Sequence, residues 1–143
     1  QTLLYHLPFL LEEVDVLKEN SWKKFKERNH FASIGNFIHA PNLDATIQLK
    51  KKVWPIIKKQ LSEAELHVYG AYPTQQALEF NDPKERFFVH GFVEDANEVM
   101  GKSKVLLAPL RFGAGIKGKL TDAMQNGTPS ITTSIGAEGM HGN

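Results

Sequence analysis

An α/β fold, a parallel sheet with helices on both faces, is what this sequence predicts, and three observations predict it. Short apolar runs alternate with longer segments of helical pattern. Three of those runs stop at a glycine, at Gly35, Gly70 and Gly91. A fourth, Val105 to Leu110, leads into a glycine-rich loop and a short helix, within KVLLAPLRFGAGIKGKLTDAMQNG (Lys104 to Gly127). Strands separated by helices pair in parallel and are covered on both faces.

The first 29 residues stand apart from this pattern. Leu3-Leu4-Tyr5 and Leu7 to Leu11 are mostly apolar, and Glu12 to Arg28 is charged. The segment reads as a connection with some helix, docked through Leu7, Phe9 and Leu10, its charges forming a solvated face. Phe31 to Gly35 is the first strand. Pro41-Asn42 opens a long helix with Leu43, Ile47, Leu49 and Val53 on its apolar face and Lys50-Lys51-Lys52 outside. Pro55 kinks or restarts it, because proline lacks a backbone donor, and Ile56, Ile57 and Leu61 continue the stripe. Leu66 to Gly70 is the second strand, Gln75 to Phe80 a short helix, and Phe87 to Val93 the third strand. Asp95 caps a helix that runs to Met100. The fourth strand, the glycine loop and a helix from Lys119 to Asn126-Gly127 come next, then a last strand over Ser130 to Thr133.

The bulk numbers suit this reading. A chain of 143 residues with 41% apolar and 23% charged content fits one globular domain with a real core. A formal charge of +1 gives no general attraction to nucleic acid or to a membrane surface. No apolar run reaches the roughly 20 residues of a bilayer span. The sequence has no cysteine, which rules out disulfides and thiolate chemistry and fits a reducing compartment. No His/Asp/Glu spacing suggests a metal, and no G-x-S-x-G elbow supports hydrolase chemistry.

In parallel sheets ligands sit beyond the carboxyl ends of the strands, so the glycine-bearing ends define the rim to search. Gly113, Gly115, Ile116, Lys117, Gly118 and Lys119 combine close backbone approach, a helix N-terminus and two ammonium groups. That is the chemistry of a phosphate site. The stretch nearly spells the phosphate loop of nucleoside triphosphatases, but Leu120 stands where that loop needs a hydroxyl for magnesium. A turn that needs glycine only for its backbone angles is the plainer alternative. Asp122, one turn into the helix, suits a ribose or simply the positive helix end. Gly91, Phe92 and Val93 offer a backbone edge to a nucleobase, or form a tight turn. Gly35 and Asn36 lie on the same rim, as a ligand contact or as a plain strand-to-helix turn, and Glu138 there suits sugar hydroxyls or is simply an exposed loop acid.

With these pieces placed, the chain resembles the C-terminal nucleotide-sugar-binding domain of the group 1, GT-B-type glycosyltransferases. The resemblance runs from about Phe31 to Met140. It rests on Ile34-Gly35-Asn36-Phe37, Pro41 to Ala45, Ala64 to Gly70, His90 to Val93, Ala108 to Lys119, Asp122-Ala123-Met124, Gly127-Thr128-Pro129 and Gly136 to Gly139 in that order. It implies a connecting segment over 1–29 from a missing N-terminal domain, and a Rossmann-like domain over 30–143 that is truncated at its C-terminus. It implies that the chain binds a nucleoside-diphosphate sugar for transfer of a hexose-type sugar to a saccharide or lipid acceptor, which the missing domain would hold. Gly113 to Lys119 would grip the diphosphate without a metal or other cofactor, Asp122 the ribose, and Gly91 to Val93 the base. The implied setting is cytoplasmic, peripheral to a membrane through the missing domain, with no membrane-embedded segment and no nucleic acid partner. The isolated chain is expected to be inactive, and no catalytic residue is assigned.

Two departures stand out. Many members carry two glutamates eight residues apart, but here Ala114 and Asp122 occupy those places. The basic pair that follows the first strand in many members is absent from Asn36-Phe37-Ile38-His39-Ala40. A non-catalytic module that kept the fold is therefore a rival reading, and a phosphate-loop triphosphatase a weaker one.

Overall fold

The structure, a computed structural model, describes residues 10–140. Five strands, β1 (Asn29–Ile34), β2 (Leu66–Tyr69), β3 (Phe87–Val89), β4 (Ser103–Ala108) and β5 (Ser130–Thr132), form one sheet in the spatial order β3-β2-β1-β4-β5. Every pairing is parallel. The helices are α1 (Val16–Ser21), α2 (Ala40–Gln48), α3 (Trp54–Gln60), α4 (Gln75–Glu79), α5 (Ala96–Lys102) and α6 (Gly118–Gln125). All five predicted strands are present. The third ends at Val89, which leaves Gly91 to Val93 outside the sheet.

Alternation along β4 separates two cores. Leu107 packs into one with Leu49, Trp54, Leu66, Val68 and Phe87, on the face that α2, α3 and α4 cover. Leu106 and Ala108 point the other way and meet Met100, Leu120 and Ala123 of α5 and α6. Trp54 anchors the first core, edge-on to Phe31 and Phe87, with its indole N–H donating to Glu85 O at 2.7 Å. Burying a ring of that size contributes about 3 kcal/mol.

The expected kink at Pro55 takes a specific form. The chain passes from α2 to α3 through a π-turn over Leu49–Val53, in which the Trp54 N–H reaches back to Leu49 O. Proline crowds the preceding turn and removes a donor, and widening that turn accommodates it. The extra residue rotates the faces of α3 by about 100°. The continued stripe is corrected accordingly: Ile57 is half-buried, but Ile56 and Leu61 are exposed.

The connecting segment also departs from expectation. Leu10 is exposed among the described residues, while Leu7 and Phe9 lie outside them. Arg28 does not belong to a solvated charge run. It is 3% exposed. Its Nε donates to Lys23 O at 2.9 Å, Nη2 to Asn126 O at 2.9 Å, and Nη1 to Thr128 Oγ1 at 2.6 Å. Nη1 also lies 3.4 Å from Met100 O and 3.3 Å from Ser103 O. The guanidinium thus meets the carboxyl ends of α5 and α6, where the helix dipoles favour a cation.

Gly127 completes this joint. Its φ is +59°, its N–H donates to Met124 O, and the Thr128 N–H donates to Ala123 O, the pattern that closes a helix through a left-handed residue. A Cβ there would lie 2.3 Å from the Trp22 ring, so glycine is also required by packing. Replacing Arg28 by alanine removes its donors from Lys23 O, Ser103 O and Asn126 O, and we expect a loss of about 3 kcal/mol. Urea unfolding checks this: the midpoint falls in Arg28→Ala, and an unchanged midpoint contradicts the role.

Candidate functional site

From β1 the chain moves outward to β2 and β3, and then returns to place β4 on the other side of β1. The crevice beyond the carboxyl ends of β1 and β4 is therefore the switch point at which such sheets bind ligands. Gly35 follows β1, Asn42 lies in the first turn of α2, and Lys119 in the first turn of α6. These three meet. Lys119 Nζ donates to Asn42 Oδ1 at 2.7 Å, and Asn42 Nδ2 donates to Asn36 O at 2.8 Å. A Cβ at Gly35 would lie 2.6 Å from the Asn42 side chain and 2.7 Å from Lys119 Nζ. Only glycine lets both side chains lie across the end of β1.

No carboxylate lies within ion-pair distance of Lys119 among the described residues, and burial pushes its ammonium down to about 8. Lys117 has the opposite environment. Its Nζ lies 3.6 Å from Glu138 Oε2 and donates to Gly115 O. Glu138 Oε2 also accepts from the Gly115 N–H at 3.1 Å. Two of the groups assigned to a diphosphate are thus already held by an internal carboxylate. Gly113, with a φ of +119°, and Ile116 are exposed in the same loop, and Ile116 lies against Gly139.

Further along, the loop is open. The Leu120 N–H closes the first turn of α6 on Lys117 O at 2.9 Å, whereas the amides of Gly118 and Lys119 have no partner among the described residues. A Cβ at Gly118 would meet nothing within 4 Å, so the space beside the start of α6 is open. Unpaired N–H groups at a helix start favour an anion. Leu120 is buried in the second core, and the Thr121 hydroxyl turns back to Gly118 O. Neither offers magnesium the hydroxyl that a phosphate loop supplies.

The remaining predicted residues surround this point unevenly. Asp122 is half-buried, its carboxylate has no partner among the described residues, and burial raises its pKa. Gly91 O accepts from the Gly70 N–H at 3.0 Å, so one main-chain acceptor of the base edge is occupied. Phe92 is exposed, and the main-chain groups of Phe92 and Val93 have no partner among the described residues. Asn36 Oδ1 accepts from the Ile38 N–H at 2.9 Å, which commits that side chain to its own turn.

Sequence reasoning missed two contributors. Asn42 is the partner of Lys119, and its place at the helix start beside Pro41 gave no hint that the side chain crosses to another helix. Arg111 clamps the loop after β4 to α2: its Nε donates to Asp44 Oδ2 at 2.9 Å and Nη2 to Oδ1. The hydrogen bonds to Arg111 hold the Asp44 carboxyl below the usual range.

Comparison with known proteins is consistent with this geometry. The family model described as Glycosyl transferases group 1 matches residues 28–143. A Klebsiella pneumoniae protein, described as an uncharacterized 44.6 kDa protein in the cps region, is 25% identical over 139 residues. That alignment covers 92% of this chain and 36% of the relative, so the chain spans about a third of its length. Among solved structures, a TarM mutant from S. aureus in complex with fondaparinux, alpha-GlcNAc-glycerol and UDP superposes with a TM-score of 0.67 at 16% identity. The match covers 85% of this chain and 25% of TarM. WaaG, described as a glycosyltransferase involved in lipopolysaccharide biosynthesis, superposes with a TM-score of 0.59 at 19% identity, over 82% of this chain and 31% of WaaG. At such identities these two likenesses establish the fold.

The Lys119 ammonium has a measurable energetic signature. A lysine depressed from 10.5 to about 8 costs of order 3 kcal/mol of stability while it is charged. That cost is fully present below pH 8 and is relieved as pH rises from 8 to 10.5, where the unfolded chain still holds the proton. Lys119→Met removes the cost but strands Asn42 Oδ1, so a net gain of about 1 to 2 kcal/mol at pH 7 is expected. Chemical denaturation at pH 7 and pH 9.5 checks it: the gain shrinks at the higher pH, and a destabilised variant at pH 7 contradicts the assignment.

Proposed function

The chain belongs to the group 1 glycosyl transferases, and from that premise we propose that its rim binds the diphosphate of a nucleotide-sugar donor. The observation that carries this reading is the Lys119 ammonium, desolvated and without a counter-charge at the strand switch point. A half-buried, desolvated cation of this kind is costly unless an anion joins it. The free amides of Gly118 and Lys119 supply the other half of such a site. The diphosphate would therefore lie over the start of α6, displaced from the centre of the glycine loop. Gly113, Gly115, Ile116 and Lys117 form its outer wall, with Glu138 neutralising Lys117.

The rest of the donor is arranged around that anchor. Asp122 would accept from ribose hydroxyls. The backbone of Phe92 and Val93 would face the base. Gly35 and Glu138 border the position of a hexose-type sugar. As the sugar leaves, negative charge grows on the diphosphate, and a pre-placed ammonium with two oriented amides stabilises it without reorganising. The acceptor, a saccharide or lipid, would be held by a domain outside this chain. The 143 residues alone are then expected to bind nucleotide and transfer nothing.

Ala114, in the place of the first family glutamate, and the Glu138 carboxylate on the Gly115 amide favour a second reading, a non-catalytic module that retains the fold. Calorimetry with UDP, GDP, ADP and the matching nucleosides separates the two. Donor binding requires one nucleoside diphosphate to bind at least roughly tenfold more weakly to Lys119→Ala than to the parent chain, with the nucleoside indifferent to that change. Because Lys119 sits near 8, affinity should also fall as pH rises above 8, by at most about tenfold per unit. Silence toward all three diphosphates at millimolar concentration would support the module instead.

A further inference from the structure

The amino-terminal end of the sheet, opposite the rim, carries a second constellation that the donor reading leaves unused. Phe31 pairs with Leu66 and Ala32 with His67, which sets His30 beside Glu65 on the same face as His67. That is the face opposite the buried Leu66 and Val68. His67 Nε2 lies 3.2 Å from Glu65 Oε2, and the His30 and His67 rings lie tilted at 33° with centroids 4.0 Å apart. One ligand atom from each of His30, Glu65 and His67 lies within 4.8 Å of the other two. Nothing in the sequence spacing signalled this set, because the sheet register alone brings His30 to Glu65.

We propose that His30, Glu65 and His67 form a binding site for a divalent transition cation, with zinc the best match. Two imidazoles and one carboxylate are a donor set that zinc takes, at about 2.0–2.2 Å per bond. Four-coordinate geometry at those lengths separates ligand atoms by about 3.4 Å. The observed separations reach it with side-chain adjustments of an ångström or so. The 3.2 Å contact of His67 with Glu65 is then a position where a metal replaces a shared proton.

The surroundings suit a ligand set more than a chance cluster. His90 Nε2 lies 2.9 Å from His67 Nδ1, so with the metal on Nε2 the Nδ1–H donates to His90 and fixes the tautomer. Phe88 stacks on His67 with centroids 4.8 Å apart, and Arg86 Nη1 lies 3.5 Å from Glu65 Oε1. His30 and Glu65 also line a cavity of about 840 Å³ between the starts of β1, β2 and β4, together with Glu63 and Lys104. It gives the metal an entry path and leaves a fourth position for water. The site lies at the amino ends of the strands, away from Lys119, so its effect is to tie β1 to β2 rather than to touch a donor.

The test uses the whole chain after treatment with a chelator, with zinc and cobalt(II) as probes. We expect one zinc per chain, a rise of several degrees in melting temperature, and visible cobalt bands of four- or five-coordinate intensity. His67→Ala and Glu65→Gln should each abolish the bands, and His90→Ala should weaken affinity about 10- to 100-fold. Glu65→Gln preserves shape and hydrogen bonding, so it guards against a folding defect in His67→Ala. Absence of bands and of any thermal shift in the parent chain overturns the site. So does undiminished cobalt binding in folded Glu65→Gln and His67→Ala.

Discussion

The ammonium of Lys119 rests on one neutral oxygen, Asn42 Oδ1, 2.7 Å away across the end of β1. A lysine lowered to about 8 is an unfavourable thing to build into a small domain. The proposed function answers that cost with an anion that shares the place. Lys117, two residues earlier, shows the contrast within the same loop. Its charge is met internally by Glu138, and it needs nothing from outside. In the proposed reading the visitor is a diphosphate, and the unpaired amides of Gly118 and Lys119 put its landing point at the first turn of α6.

That turn is held in place from far away. Arg28 joins the carboxyl ends of α5 and α6 through main-chain oxygens, and Thr128 bridges between the guanidinium and Met100 O. The left-handed Gly127 ends α6 against Trp22. Gly127-Thr128-Pro129, which helped to identify the family, therefore acts as a joint rather than as a contact for ligand. Arg111 and Asp44 fix the other end of the same unit by clamping the loop to α2. The proposed anion site is thus positioned by side chains outside it, as preorganised sites generally are.

Much of this is legible in the sequence, for physical reasons. Strand and helix order can be read from apolar runs and their glycine ends, since backbone periodicity is a local property. The rim comes from topology, because parallel sheets collect their loops at one edge. Lys119 is evident in the sequence, but its isolation is not. That isolation depends on Glu138 choosing Lys117 and on Asn42 crossing from another helix. Arg28 misleads, since a charge next to lysines in sequence looks solvated, and only long-range packing buries it. Ile56 and Leu61 mislead because the π-turn shifts the phase of the stripe. The His30, Glu65 and His67 set is invisible, because cross-strand register brings together residues far apart in the chain.

The most direct measurement is the titration of the Lys119 side chain itself, by NMR of a lysine-labelled chain with and without saturating UDP. The account predicts an ammonium that titrates near 8 in the free chain and at least about one unit higher once the diphosphate is bound. A lysine that titrates at its ordinary value, or one whose titration is unmoved by saturating nucleotide, would contradict it.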